Sequence, residues 1–123
     1  MQLHHQIFGT VRVVTISGRI DHDNAEDFKN ALQPHLENCK QDGEVVVVNF
    51  ADVSYISSAG FRVLLLAHRH AVTHNSVFAV GGAQPLVMEI FSISRFDKII
   101  SCHGSVRDAI AAHAADSLAH YPA

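Results

Sequence analysis

The stretch from Val45 to Arg62, V-V-V-V-N-F-A-D-V-S-Y-I-S-S-A-G-F-R, constrains this chain more than any other: four valines in succession run into hydroxyl residues and then into helical periodicity. A run of β-branched residues from Glu44 to Phe50, set off upstream by Asp42-Gly43, suits a strand covered on both faces, which implies parallel neighbours. From Ser58 to Thr73 apolar residues recur at helical spacing, with Phe61, Leu64, Leu65 and Val72 on one side and Val63 and Ala67 toward another. A strand therefore feeds a helix at Ser57-Ser58. Such a junction presents free backbone N–H groups and the positive end of the helix dipole, so a serine there can carry a phosphate at little electrostatic cost.

The flanking sequence supplies the other layers. Gln6 to Ile20 is rich in β-branched residues, and Gly9 marks a hairpin turn between a short first strand and a second one through Val11, Val13, Val14 and Ile16. Asp23 and Glu26 have capping-box spacing, and Ala25, Phe28, Leu32 and Leu36 predict a helix over 24–40 with a bend or break at Pro34. Val77–Val80 reads as a strand closed by Gly81-Gly82, followed by a short helix from Gln84 with Leu86, Val87, Ile90 and Phe91. Ile99-Ile100 reads as a short last strand. Ser105, three residues before Asp108, opens a terminal helix through Val106, Ala109, Ile110 and His113, and residues 115–123 read as a frayed tail. The order predicts an α/β fold in one domain spanning residues 1–123, with a mixed, mainly parallel central sheet of about five strands and about four helices.

Composition narrows the function. With 48% apolar and 17% charged residues the chain is too hydrophobic for disorder, yet its longest apolar run is far too short to cross a bilayer. The N-terminus lacks a secretory pattern, so a cytoplasmic protein without membrane insertion is expected. A net charge of −3 without a Lys/Arg cluster argues against nucleic acid as partner. Cys39 and Cys102 lack a C-x-x-C partner and read as free thiols. Among ten histidines, His70 and His74 share a helix face at i, i+4, but no acidic or cysteine ligand accompanies them at a recognised spacing. They, and His4, His5 and His120, read as surface residues, and no metal or cofactor is expected. Neither a His-Asp-Ser order, nor paired carboxylates, nor a phosphate-binding glycine loop is present, so a binding module is expected rather than an enzyme.

At about 100° per residue, Ser58, Arg62, Leu66, Arg69 and Thr73 fall on one helical stripe. A leucine between two arginines on the polar side of an otherwise apolar helix reads as a docking surface, with Ser58 at its edge. On spacing alone, helix capping is the simpler role for Ser57 and Ser58.

The segment D-V-S-Y-I-S-S-A-G-F-R resembles the phosphoacceptor segment of STAS domains (sulphate transporter and anti-sigma factor antagonist), and the resemblance extends over roughly residues 5–113. Ser17-Gly18-Arg19-Ile20-Asp21, Gly81 and Phe91-Ser92-Ile93-Ser94-Arg95-Phe96 are similar to further segments of that family. The resemblance implies a STAS-like fold, with Ser58 as phosphoacceptor and Ser57 as the alternative. It makes Gly60 the glycine that lets a partner approach, and Asp21 an acidic residue that helps contact a kinase, beside a possible turn or cap role. The implied partner-binding set is Asp21, Ser57, Ser58, Gly60, Arg62, Leu66 and Arg69.

The implied function is that of a bacterial anti-sigma factor antagonist in a partner-switching pathway of transcription regulation. Dephosphorylated, such a protein captures an anti-sigma factor of the GHKL serine kinase type; phosphorylation by that kinase ends the capture, and a PP2C-type phosphatase resets it. One departure stands out: many kinase-responsive members carry aspartate just before the phosphoacceptor, where this chain has Ser57. The alternative is a stand-alone STAS subunit that regulates an ABC transporter ATPase, with Ser58 acting mainly as a cap.

Overall fold

Val45 opens a strand of twelve residues that organises the molecule. The computed structural model describes residues 1–122. In chain order the elements are β1 (Gln2–Phe8), β2 (Val11–Ile20), α1 (Ala25–Leu32), β3 (Val45–Ile56), α2 (Ser58–Thr73), β4 (Phe78–Gly81), α3 (Pro85–Ile93), β5 (Ser101–His103) and α4 (Val106–His113). The five strands lie side by side in chain order. β1 pairs antiparallel with β2 through a turn at Gly9, whose φ of +59° favours glycine, and the remaining pairs are parallel.

The valine run divides between two cores, as a period of two requires. Val46 and Val48 face a large core with Phe28 and Leu32 of α1, Leu64 and Ala67 of α2, and Phe91 of α3. Val47 faces a smaller core with Val11, Val13, Ala79 and, from α4, Ala109 and Ile110. All three crossover helices cover the same face. Strands added in one direction by crossovers of one hand put their helices on one side of the sheet.

β3 outruns β4. Only Val46–Asn49 pairs with β4, whereas β2 follows β3 as far as the pair Ile20↔Ile56. The second half of β3 is therefore a two-stranded extension, and α2 starts at its tip. Gly60 fixes how closely α2 can fold back: a Cβ there would stand 2.7 Å from Ile56 Cγ1 and 2.8 Å from Ile20 Cγ2.

Several local expectations change. β1 begins at Gln2, so His4 and His5 lie in the edge strand, paired with Thr15 and Val14, because cross-strand pairing supplies what their composition does not. The expected helix over 24–40 ends at Leu32 and continues as a tighter 3-10 turn at Gln33–Leu36, consistent with the donor that Pro34 lacks. Asn24, not Asp23, occupies the cap position of α1 and makes no side-chain cap bond. The last strand is Ser101–His103 rather than Ile99-Ile100; Ile100 is buried in the large core while Ile99 is half exposed, because a turn at Phe96–Lys98 carries this pair ahead of the sheet. Val72 is 58% exposed instead of packed, since at the end of α2 it is Ala71 that faces the core and Val72 turns to solvent. Ser105 does cap α4, accepting from the Asp108 N–H at 3.0 Å.

The expected frayed tail is also corrected. Ala115–His120 forms a 3-10 turn that returns to the β1–β2 hairpin, where Ser117 is buried. Its Oγ accepts the Thr10 N–H at 3.0 Å and lies 3.1 Å from Thr10 Oγ1, while Tyr121 packs edge-on against Phe8. Ala123 lies outside the described residues. Ser117→Ala should therefore cost about 1–2 kcal/mol of unfolding free energy by leaving the Thr10 groups short of a partner. Urea denaturation checks this, and a wild-type midpoint would mean that the tail does not hold the hairpin.

Candidate functional site

At the tip of the β2–β3 extension, the chain turns from Ile56 into α2. Ser57 is extended (φ −86°, ψ 171°), and its Oγ accepts the Gly60 N–H at 3.2 Å. Its own N–H donates to the Ile20 carbonyl at 2.8 Å, and its carbonyl accepts from Phe61 at 3.0 Å. Ser57 is thus the cap, fixed to both β2 and α2. Ser58 is the first helical residue and is exposed, with no capping duty. The first turn of α2 holds no acidic residue, so the positive end of the helix dipole is not offset locally.

Asp21 follows Ile20 at the same edge of the sheet, since Ile20 pairs with Ile56. Its Oδ1 accepts from the Asp23 and Asn24 N–H groups at 3.0 and 3.1 Å, and Asn24 Oδ1 accepts the Asp21 N–H at 2.8 Å. These bonds make Asp21 a turn residue that shapes the loop into α1. Gly60 is buried, so it serves the packing of α2 on the extension rather than presenting an open face.

The stripe on α2 is exposed throughout: Ser58, Arg62, Leu66, Arg69 and Thr73 all reach solvent, and Leu66 is 43% accessible. Beside Leu66 a groove of about 400 Å³ separates α1 from α2, floored by Leu32, Leu36, Val63 and Ala67 with Lys29 and Glu37 among its lining. A smaller recess shares Lys29, Val63 and Leu66 and continues to Arg62 and Ala59, the neighbour of Ser58. The geometry brings Ser58, Arg62 and Leu66 to one surface with α1. Arg69 shares the stripe but does not line the groove.

Two contributions escaped the sequence reading. Lys29 and Leu32 of α1, with Gln33 and Leu36 of the 3-10 turn that continues it, form the wall opposite α2, and their i, i+3, i+4, i+7 spacing was the available signal. Arg19 lies 4.5 Å from the centre of the Tyr55 ring, its register partner across β2 and β3, which stiffens the extension just before Ser57. His70 and His74 stack at 4.1 Å, with His74 Nδ1 bonded to the His70 carbonyl. Cys39 and Cys102 are free thiols; burial, and then Asp97, push Cys102 up to about 11. No helix among the described residues is long and apolar enough to cross a membrane.

Comparison with solved structures finds the same architecture in several proteins. A candidate anti-sigma factor antagonist from Thermotoga maritima superposes with a TM-score of 0.80 at 17% identity, covering 90% of this chain and 93% of that one. An anti-sigma factor antagonist from Mycobacterium paratuberculosis gives 0.78 at 20% identity, covering 91% and 92%. The anti-sigma factor antagonist SpoIIAA in its unphosphorylated form gives 0.69 at 17% identity, covering 90% and 95%, and the Bacillus protein also matches in its phosphorylated form. At these identities the likeness establishes the fold. The family model described as "Mlab, STAS domain" matches residues 4–101. With most of its length in that match and the five-stranded sheet and its helices superposing on such proteins, this chain belongs to the STAS domain family.

Proposed function

We propose that this chain is a non-catalytic anti-sigma factor antagonist acting by partner switching in the bacterial cytoplasm. Dephosphorylated, it binds an anti-sigma factor of the GHKL serine kinase type through the α1–α2 groove and the exposed stripe of α2. Phosphorylation of Ser58 by that kinase releases it, and a PP2C-type phosphatase restores binding. One observation carries the reading: Ser58 is exposed at the start of α2, relieved of capping by Ser57, next to Ala59, which lines the small recess adjoining the groove at Lys29, Val63 and Leu66.

The energetics are modest. A phosphate adds about −1.5 to −2 charges at neutral pH. The helix N-terminus and Arg62, four residues on, stabilise it in the free protein, while a partner surface matched to a neutral serine must desolvate it. A hundredfold loss of affinity corresponds to about 2.7 kcal/mol, within the range of such a term. That relatives of this fold are described as anti-sigma factor antagonists, one of them in phosphorylated form, supports the reading.

The serine in place of an acidic residue at position 57 favours a second reading, a STAS subunit regulating an ABC transporter ATPase. There the same groove would hold a permanent partner and Ser58 would stay unmodified.

Three outcomes test these readings. Ser57→Ala should cost about 1 kcal/mol of stability through the lost cap, whereas Ser58→Ala should change thermal unfolding little. Leu66→Asp should weaken binding to the partner at least tenfold, about 1.4 kcal/mol, while far-ultraviolet circular dichroism stays native, because Leu66 lies outside the core. Incubation with the cognate kinase and magnesium-ATP should place one phosphate on Ser58 and release the partner. Ser58→Ala should then bind constitutively and Ser58→Asp should mimic release only in part. Mass spectrometry decides the site: phosphate on Ser57 moves the switch by one residue, and none on either serine leaves the transporter reading.

A further inference from the structure

The opposite side of the sheet holds a polar cluster that the docking surface does not use. Ser101 and His103, two apart on β5, project to the face covered by α4, while Cys102 between them packs against the large core. On α4, Val106, Ala109 and Ile110 are buried, and His113 continues that inward stripe at i+7. A histidine in the next place of a buried stripe is an informative departure from core composition.

The three side chains converge on one point. Ser101 Oγ lies 2.7 Å from His103 Nε2 and 2.9 Å from His113 Nε2, and the two Nε2 atoms are 3.1 Å apart. As hydrogen bonds only two of these contacts form at once, with Ser101 donating to one Nε2 and accepting the N–H of the other, so the two Nε2 atoms meet without a bond of their own. A neutral imidazole Nε2 either carries a proton and donates or offers its lone pair and accepts, and one hydroxyl proton serves one contact. A cation that accepts lone pairs from all three atoms engages every pair, the two Nε2 atoms included.

We infer that His103, His113 and Ser101 form a binding site for a divalent transition-metal cation of the imidazole-preferring class, such as zinc. Two nitrogens about 2.1 Å from a metal stand about 3.0 Å apart at an octahedral angle and about 3.4 Å at a tetrahedral one. The observed separation falls between these values. Ser101 Oγ occupies a third corner, and water completes the shell, since all three residues are only half-buried. Among the described residues no third histidine and no carboxylate or thiol joins the set. An N₂O donor set of this kind favours zinc, nickel or copper over magnesium or calcium. Bound metal ties the last turn of α4 to the edge strand β5, where the rings of His103 and His113 already meet edge-on.

Zinc chloride titrated into the full chain tests the site. Long-range ¹H–¹⁵N spectra of the wild-type protein should show the ring nitrogens of His103 and His113 shifting first, ahead of His4, His5, His70, His74 and His120, and the unfolding temperature should rise with zinc. His113→Gln, which keeps a polar side chain at that place, should weaken the tightest zinc site at least tenfold by calorimetry, whereas His70→Ala should leave it unchanged. Earlier shifts at any other histidine, or wild-type zinc affinity in His113→Gln, would overturn the inference; the wild-type spectra decide even where a variant folds poorly.

Discussion

Parallel pairing between β2 and β3 is the interaction on which the rest of the molecule depends. Its first half lies inside a sheet covered on both faces, where Val46, Val47 and Val48 are fully buried. Its second half leaves β4 behind and projects α2 from its tip. Because side chains alternate, a slip of one residue would exchange the two cores and turn Ile20 and Ile56 away from Gly60. Register in this pair therefore sets both the stability of the domain and the position of Ser58.

The junction divides two duties between adjacent serines. Ser57 is held by the Ile20 carbonyl on one side and by Gly60 and Phe61 on the other, so its hydroxyl is committed to the helix start. Ser58 inherits the favourable potential of the same helix end without the structural obligation. An acidic residue at position 57 could also cap the helix, but it would add negative charge beside Ser58; serine keeps the cap and leaves the charge out. The apolar groove beside Leu66 lies along α2 from Val63, and a smaller recess extends from it to Ala59, next to Ser58.

Much of this was legible in the chain. The valine run, the hydroxyl pair and the helical stripe from Ser58 to Thr73 are local patterns, and the structure places each of them as their periodicity implies. The limits of β5 and the fate of the tail were not legible. Ser101–His103 is a strand because Ala79–Gly81 offers free backbone groups beside it, and Ser117 is buried because the β1–β2 hairpin lacks a donor and acceptor partner at Thr10. Neither reason is written near the residues it governs.

By itself the sequence determined the fold class and the strand-to-helix junction that carries the two serines, because burial on two faces and helix initiation each leave a short-range mark in residue type and spacing. Only tertiary structure decided that Ser57 is the cap, that Asp21 is spent on a turn, that α1 supplies half of the groove, and that His113 meets His103 and Ser101. These outcomes depend on which elements become neighbours across the sheet, and that choice is made by long-range packing and backbone pairing rather than by local propensity.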